Sequence, residues 1–239
     1  MEAIILAGGF GTRLRAVVSD VPKPMAPIAG RPFLEVLLDD LERNGVNRVV
    51  LAVGYKRESI ISHFGRTYKS IALEYSVEDT PLGTGGAIKK ALARCHDDDV
   101  LIVNGDTFFD VDLGKMMTTH KGCGAPITMA IKEMTDFSRY GTIEVSDKYV
   151  TGMAEKKPCK KGYINGGIYC VRRHLLDDDA RGTFSFESDF LEKAVGSMKI
   201  RAFISDGYFI DIGVPEDYAR AQTELSEFEN ISSICEGIL

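Results

Sequence analysis

The chain has 239 residues, with 29 basic and 35 acidic side chains and a formal net charge of −6. Hydrophobic residues make up 44% and charged residues 27% of the chain, values typical of a soluble globular protein. The acidic balance argues against nucleic acid as the main partner. No apolar run reaches the roughly 18 residues that would span a bilayer, so we expect no membrane partner either.

The N-terminus and the cysteines favour a location in the cytoplasm. The opening residues, MEAIILAGG, run directly into a strand-like segment and lack the features of a signal peptide. The five cysteines are scattered and never spaced CxxC, so we expect neither a disulfide framework nor a zinc site. Both observations predict a reducing compartment.

Apolar runs alternate with helix-like stretches along most of the chain, which is typical of a parallel sheet with crossover helices. Strands are predicted at 3–7, 48–53, 71–75 and 100–103, and helices near 33–44, 58–64 and 85–94. From 127 to 171 the apolar residues alternate with period two, which predicts hairpin-like strands that extend or cover one side of the sheet. A helix at 187–195, a strand at 200–204 and a helix at 215–228 complete the pattern.

The densest functional signal is the segment LAGGFGTRL at 6–14. Its three glycines follow the first predicted strand, so backbone N–H groups lie at the ligand crevice of the sheet and can wrap phosphates. The segment is neither a Walker loop nor the GxGxxG fingerprint, and on the three glycines alone a tight turn that merely needs glycine is the better explanation. Arg13 and Lys23, two cations just beyond the loop, favour a polyphosphate ligand.

This segment, followed by PKPMAPIAGRPFLE, resembles the signature of the sugar-1-phosphate nucleotidyltransferases. The resemblance continues in PLGTGGA at 81–87, NGDT at 104–107, NGGIY at 165–169 and FIDIGVPEDY at 209–218. Enzymes of this family join a nucleoside triphosphate to a sugar 1-phosphate and release pyrophosphate.

The resemblance implies an α/β, Rossmann-like (GT-A-like) fold, with a mostly parallel sheet flanked by helices and a small hairpin-rich sugar-binding lobe. We expect a single domain over 1–239. Its nucleotide-binding part covers about 1–125 and its sugar-binding part about 126–205. A C-terminal strand and helix, carrying a metal-binding aspartate, follow at about 206–230.

The resemblance also assigns the site residues. Because the reaction brings two anions together, it needs cations, backbone donors and a hard metal rather than a nucleophilic side chain. Arg13 and Lys23 match the positions that clamp the triphosphate, and Asp106 and Asp211 match those that hold Mg²⁺. The implied nucleotide-binding residues are Leu6, Ala7, Gly8, Gly9, Gly11, Thr12, Glu78, Pro81, Gly83, Thr84 and Asp106. The implied sugar-phosphate-binding residues are Gly141, Glu155, Lys156 and Asn165.

Glu78 favours GTP as the nucleotide. Related uridylyl- and thymidylyl-transferases commonly have a glutamine near this position. A carboxylate offers only acceptors, which match the ring N1–H and the amino group of guanine but oppose a carbonyl of uracil or thymine. The compact chain, with NGGIY and FSFESDFLE, is most similar to guanylyltransferases that act on D-glycero-α-D-manno-heptose 1-phosphate in surface polysaccharide synthesis.

Several alternatives stay open at this point. The acceptor could be mannose 1-phosphate, or the same fold could use UTP, dTTP or CTP on another sugar 1-phosphate. A regulatory paralogue without activity is a further alternative, and a homodimer is compatible with the sequence. Phe184, Phe186 and Glu187 could line the sugar site or serve as core aromatics and a helix cap. The four histidines share no motif and are predicted to be solvated.

Overall fold

The computed structural model describes residues 1–9, 14, 18 and 21–236, the last ten of these by their backbone alone. In chain order the strands are β1 (Glu2–Leu6), β2 (Pro27–Ile28), β3 (Arg31–Pro32), β4 (Arg48–Val53), β5 (Thr67–Tyr68), β6 (Ile71–Val77), β7 (Asp99–Asn104), β8 (Thr107–Phe109), β9 (Ile127–Phe137), β10 (Thr142–Ser146), β11 (Tyr149–Ala154), β12 (Cys159–Arg172), β13 (Ile200–Ile204) and β14 (Phe209–Asp211). The helices are α1 (Phe33–Arg43), α2 (Arg57–Phe64), α3 (Gly83–Leu92), α4 (Leu113–Cys123), α5 (Glu192–Ala194) and α6 (Pro215–Glu236). A 3-10 turn covers Lys23–Met25, and a π-helical turn covers Phe186–Leu191.

A ten-stranded sheet, in the order β10-β11-β13-β9-β12-β7-β1-β4-β6-β5, forms the centre of the molecule. The strands β7, β1, β4 and β6 are parallel, whereas β12 runs antiparallel to both of its main neighbours, β7 and β9. The predicted α/β class is confirmed. The strands between 127 and 172 extend the same sheet, and they make its antiparallel share larger than the first half of the sequence suggests.

Helices cover both faces of the sheet, which explains why the central strands are largely apolar. In β1, Ala3 and Ile5 pack in one hydrophobic core together with Leu34 of α1. Ile4 points the opposite way and packs in a second core with Ile88 of α3. Because successive side chains of a strand alternate between faces, a strand covered on both sides is apolar over most of its length; in β1 only the first residue, Glu2, is polar.

The helix predicted at 187–195 is shorter and less regular in the structure. The chain instead forms the π-helical turn at Phe186–Leu191 and continues into the three residues of α5. Ser185 begins the turn, because its hydroxyl accepts a hydrogen bond from the N–H of Ser188 at 3.1 Å. Among the described residues, no helix is long and apolar enough to cross a membrane.

The prediction of solvated histidines is wrong for His120. This residue lies in α4 and is fully buried, whereas His63, His96 and His174 are exposed as expected. The Nδ1 atom of His120 lies 2.8 Å from the hydroxyl of Thr128, and its Nε2 atom lies 3.3 Å from a carboxylate oxygen of Asp99. Burial lowers the pKa of His120, so the ring is held neutral between these polar groups.

Candidate active site

Two clefts lie along one edge of the sheet, at the carboxyl ends of its parallel strands. The larger cleft, of about 730 Å³, is bordered by the residues that end or follow β1, β4, β6 and β7. This is the usual ligand position in an α/β sheet. The smaller cleft, of about 550 Å³, is bordered by residues of β10, β11 and β12.

Glu78 lies against the glycine-rich segment inside the larger cleft. A Cβ atom on Gly8 would lie 2.8 Å from Oε1 of Glu78 and 3.2 Å from the backbone nitrogen of Gly54. A side chain at position 8 would therefore displace the carboxylate of Glu78 and press on the backbone at Gly54. The other carboxylate oxygen of Glu78 accepts a hydrogen bond from the N–H of Leu82 at 3.3 Å. Burial raises the pKa of the Glu78 carboxyl group above its ordinary value.

Arg57 holds the segment that carries Glu78. Its guanidinium group donates to the backbone carbonyl of Glu78 at 3.3 Å and to the carboxylate of Asp79 at 2.8 Å. Arg57 also lines the larger cleft. The position of Glu78 is therefore restricted twice: its carboxylate lies against Gly8, and Arg57 binds its backbone carbonyl.

Lys23, Asp106 and Asp211 form a charged cluster at the inner end of the larger cleft. The Nζ atom of Lys23 lies 2.5 Å from Oδ2 of Asp106 and 3.9 Å from Oδ1 of Asp211, and the lysine side chain is 9% exposed. Asp106 follows β7, and Asp211 ends β14, which pairs with β8 directly after Asp106. The β8–β14 ladder thus brings together two carboxylates that are far apart in the sequence.

Asp211 has a second basic neighbour. The guanidinium group of Arg139 lies 3.4 Å from Oδ2 of Asp211 and also forms an ion pair with Asp217 of α6. Burial and the neighbouring Asp106 nevertheless raise the pKa of Asp211, although Lys23 and Arg139 act in the opposite direction. The cluster therefore crowds two carboxylates together with limited compensation.

The carboxylates of Asp106 and Asp211 fit a divalent cation. Magnesium prefers one or two carboxylates, together with phosphate oxygens and water. Burial is the main cause of the raised pKa of Asp211 and the neighbouring Asp106 adds to it, so a bound cation would favour the ionised form of both carboxylates. Within the described part of the chain, no cluster of three or more His, Cys, Asp or Glu residues is arranged to hold a metal ion. The protein would thus supply these two carboxylates, and the remaining ligands would come from phosphate and water.

The smaller cleft brings together all four residues that the resemblance assigned to the sugar phosphate. Gly141, Glu155, Lys156 and Asn165 line it, with Tyr140 and Glu187 beside them. Glu155 and Lys156 are exposed and follow β11, so their charges face solvent. Asn165 lies where the register of β12 shifts against β9, and its amide nitrogen donates to the hydroxyl of Tyr169 at 2.6 Å.

Two basic residues, Lys23 and Arg139, lie against two carboxylates beside the glycine-rich segment, and a second cleft lined by Glu155, Lys156 and Asn165 lies nearby. This arrangement is expected for nucleotidyl transfer. The Nucleotidyl transferase family model matches residues 2–227. The chain belongs to this family. Its predicted membership is confirmed.

Two relatives that match this chain over nearly their whole length are guanylyltransferases. The chain is 49% identical over 229 residues to the D-glycero-α-D-manno-heptose 1-phosphate guanylyltransferase of Aneurinibacillus thermoaerophilus, over 95% of this chain and 100% of the relative. It is 31% identical to the mannose-1-phosphate guanylyltransferase of Mycobacterium tuberculosis, over 94% of this chain and 64% of the relative. The solved structure of HddC from Yersinia pseudotuberculosis complexed with GMP-PN has a TM-score of 0.85 and 37% identity, over 94% of this chain and 99% of HddC.

Most of the nucleotide-binding residues predicted for this nucleotidyl transferase line the larger cleft, namely Leu6, Gly8, Gly9, Glu78, Pro81, Gly83, Thr84 and Asp106. Ala7 does not line it: the residue is buried, and its N–H donates to the carbonyl of Ala52 at 2.8 Å. Gly11, Thr12 and Arg13 lie outside the described residues.

Several residues around the clefts were not singled out from the sequence. Tyr55 and Arg57 line the larger cleft and follow β4, so their position after a parallel strand is a signal that could have identified them. Arg139 and Tyr140 precede Gly141 of the smaller cleft, but no pattern connects Arg139 with Asp211. Of the three residues for which the sequence left two explanations open, Glu187 lines the smaller cleft, whereas Phe184 and Phe186 are buried core aromatics.

Proposed function

We propose that this protein transfers a guanylyl group from GTP to D-glycero-α-D-manno-heptose 1-phosphate, giving the GDP-sugar and pyrophosphate. The larger cleft would hold GTP, and the smaller cleft would hold the sugar 1-phosphate. The observation that carries the choice of nucleotide is the carboxylate of Glu78, held against Gly8 inside the larger cleft. The identity of 49% to a full-length heptose 1-phosphate guanylyltransferase supports the choice of acceptor.

Glu78 would select guanine through its two acceptor oxygens. Guanine presents the ring N1–H and the exocyclic amino group side by side, and one carboxylate can accept both hydrogen bonds. Uracil or thymine would place a carbonyl oxygen against the carboxylate and leave buried polar groups unpaired. Hydrogen bonds from guanine favour the ionised carboxylate, so guanine would lower the pKa of Glu78 that burial raises.

The chemistry requires positioning and charge stabilisation rather than a protein nucleophile. A phosphate oxygen of the acceptor attacks the α-phosphorus of GTP and forms the new P–O bond. The bond between the α-phosphorus and the bridging oxygen breaks, and pyrophosphate leaves with the electron pair. Lys23 would stabilise the negative charge that develops at the α-phosphate. Its loss should lower the rate by about 10²–10³-fold. Arg13 is proposed to share this role.

Asp106 and Asp211 would hold Mg²⁺. When bound, this ion supplies positive charge to the phosphate oxygens of the nucleotide. Lys23 lies between the same two carboxylates, so it is already placed beside the site where the phosphates would lie. Arg139 supports Asp211 from its other side, which keeps the second carboxylate in position.

The acceptor would bind through complementary groups of the smaller cleft. Lys156 would pair with the sugar phosphate, and the carboxylate of Glu155 would accept hydrogen bonds from sugar hydroxyls. The side chain of Asn165 and the backbone of Gly141 would add further hydrogen bonds. Mannose 1-phosphate is the second candidate acceptor, because the chain is 31% identical to mannose-1-phosphate guanylyltransferase over 94% of its length.

The proposed function is tested by measuring pyrophosphate release. GTP, ATP, UTP, CTP and dTTP are each combined with D-glycero-α-D-manno-heptose 1-phosphate or mannose 1-phosphate in the presence of Mg²⁺. We expect turnover with GTP and the heptose phosphate. In the variant Glu78→Gln, the preference for GTP over UTP should fall, because the amide offers one acceptor and one donor. Efficient turnover with UTP and rejection of GTP by the unaltered protein would refute the base assignment.

We also propose a cytoplasmic enzyme that serves surface polysaccharide synthesis and can form a homodimer. Cell fractionation tests the first of these statements, loss of the surface glycan in a deletion strain tests the second, and light scattering of the purified protein tests the third.

A further inference from the structure

A run of hydrogen bonds connects the walls of the two clefts. It begins at Thr84, which lines the larger cleft at the start of α3. The hydroxyl of Thr84 donates to Oε2 of Glu187 at 2.8 Å. Glu187 lines the smaller cleft, so a single carboxylate contacts a residue of one cleft wall and forms part of the other.

The connection continues through the buried Tyr169. Its hydroxyl accepts a hydrogen bond from the amide of Asn165 at 2.6 Å, and its ring packs against that of Phe186, the residue before Glu187, with the ring centroids 5.3 Å apart. Asn165 also lines the smaller cleft. Burial and the nearby Glu187 raise the pKa of Tyr169 far above its ordinary value, so the hydroxyl keeps its proton beside the carboxylate. The side chain of Tyr169 is fully buried and lines neither cleft.

The segment that carries Glu187 is tightly attached to α3. The hydroxyl of Thr84 accepts a hydrogen bond from the N–H of Phe186 at 2.8 Å, and the N–H of Gly85 donates to the carbonyl of Phe184 at 2.9 Å. A Cβ atom on Gly85 would lie 2.1 Å from the ring of Phe184, so only glycine allows this contact. Any displacement at the start of α3 must therefore be shared by the segment that holds Glu187.

Hydrogen bonds of this kind resist independent rearrangement. Tyr169 is fully buried, and leaving its hydroxyl unpaired is costly in a region of low dielectric constant, whereas Thr84 and Glu187 are half-buried. If a ligand in the larger cleft fixes Thr84, it also holds the side chain of Glu187 in the position where its hydrogen bonds form. Tyr169 and Asn165 are then held in the orientation that the acceptor meets, and the acceptor no longer has to order these groups itself.

We propose that Glu187 is a positioning residue that couples occupancy of the two clefts, acting through Thr84 on one side and through Tyr169 and Asn165 on the other. The coupling rests on the proposed function, since it assumes a nucleotide in the larger cleft and a sugar phosphate in the smaller one. It is reciprocal: the nucleotide strengthens acceptor binding by the same factor by which the acceptor strengthens nucleotide binding.

The coupling can be measured by calorimetric titration without turnover. The nucleotide is a GTP analogue in which a methylene group replaces the oxygen between the α- and β-phosphates, and the acceptor is D-glycero-α-D-manno-heptose 1-phosphate, both with Mg²⁺. The affinity for the acceptor is measured on the free protein and on the protein saturated with the analogue. We expect it to be about fivefold or more higher in the saturated protein.

The variant Tyr169→Phe removes the central hydroxyl while leaving both cleft walls in place. We expect the coupling factor to fall to about one, whereas each ligand alone still binds. Tyr75→Phe is the matched control, because the hydroxyl of Tyr75 donates to the carbonyl of Gly65 at 2.6 Å and the residue lines neither cleft. This control should keep the full coupling.

Glu187→Gln provides a second variant that keeps an acceptor oxygen but loses the charge, and its coupling should be intermediate. Thermal unfolding of each variant separates a loss of coupling from a loss of fold. Absence of coupling in the unaltered protein, or full coupling in Tyr169→Phe, would overturn the proposal while the separate affinities still supported the proposed function. Failure of the unaltered protein to bind either ligand would instead refute the proposed function and the coupling with it.

Discussion

Two adjacent glycines of the larger cleft have different structural requirements. A Cβ atom on Gly8 would lie 2.8 Å from Oε1 of Glu78, whereas a Cβ atom on Gly9 would have no atom within 4 Å. We expect Gly8→Ala to lower the free energy of unfolding by about 1–3 kcal/mol, because Glu78 and the backbone at Gly54 must move. Gly9→Ala should be neutral or slightly stabilising, since alanine restricts the unfolded chain.

Urea denaturation of the two variants without nucleotide measures this difference. Because the protein is free of ligand, the comparison reports the local packing and not the contact with a phosphate. Equal stability of the two variants would contradict the expected cost of displacing Glu78 and the backbone at Gly54. In the same pair, only Gly8→Ala is expected to weaken discrimination between GTP and UTP through displacement of Glu78.

At the scale of single residues, the sequence predicts positions that lie in contiguous motifs. Glu78, Lys23, Asp106 and Asp211 each stand in such a motif. In the structure the first three line one cleft, and Asp211 lies 3.9 Å from Lys23. Contacts between distant segments are different, because no local pattern records them. The interaction of Thr84 with Glu187 spans 103 positions, and it depends on how α3 packs against the π-helical turn.

The helix α1 contains two adjacent aspartates with opposite electrostatic environments. Burial raises the pKa of Asp40 to about 7, although Arg43 acts in the opposite direction. For Asp39, burial also acts to raise the pKa, but hydrogen bonds from Lys69, Arg31 and Tyr68 outweigh it and lower the pKa. The two residues should therefore affect stability at different pH values and with opposite sign.

For Asp40, the native state retains a proton that the unfolded state loses above about pH 4. Between about pH 4 and 7 the native state binds more protons, so this group lowers stability as the pH rises. Between pH 4 and pH 8, ionisation of Asp40 should lower the free energy of unfolding of the unaltered protein by roughly 2–4 kcal/mol. We expect this loss to be absent in Asp40→Asn, as measured by urea denaturation at the two pH values. A variant with the same pH dependence as the unaltered protein would contradict the assignment.

Asp39→Asn is the control at the neighbouring position. Because the native pKa of Asp39 is lowered, its ionised form contributes stability that is present above the unfolded pKa and is lost as the pH falls through the native pKa. This variant should therefore be destabilised at pH 8, and the difference from the unaltered protein should shrink at low pH.

At the scale of elements, period and composition predict the regular parts of the fold. The apolar residues of β1 and the helical spacing in α1 follow directly from burial on both faces of the sheet. The π-helical turn at Phe186–Leu191 is not encoded by such a period, since it is fixed by its contacts with α3. The burial of His120 is not predicted by a local pattern for a similar reason, since its ring lies against Thr128 and Asp99, which belong to separate strands.

At the scale of the whole molecule, β12 joins the part predicted to bind nucleotide to the part predicted to bind sugar. It pairs with β7 through residues 168–172 and with β9 along much of its length, and both ladders belong to one sheet. If the sugar-binding part unfolded alone, β7 would lose a neighbour and expose its backbone groups at a new sheet edge. We therefore propose that the chain unfolds as one cooperative unit.

Differential scanning calorimetry distinguishes one unit from two. A nucleotide that binds only the native state stabilises it by about 2.7 kcal/mol at a concentration of 100 times its dissociation constant. For a single unit of this size, that shift corresponds to roughly 5–10 °C in the unfolding temperature. We expect one transition that moves as a whole when Mg²⁺ and the methylene analogue of GTP are added. Two transitions, of which only one moves, would show that β12 does not unite the two parts, and coupling through Tyr169 would then have to act across a boundary between independent folding units.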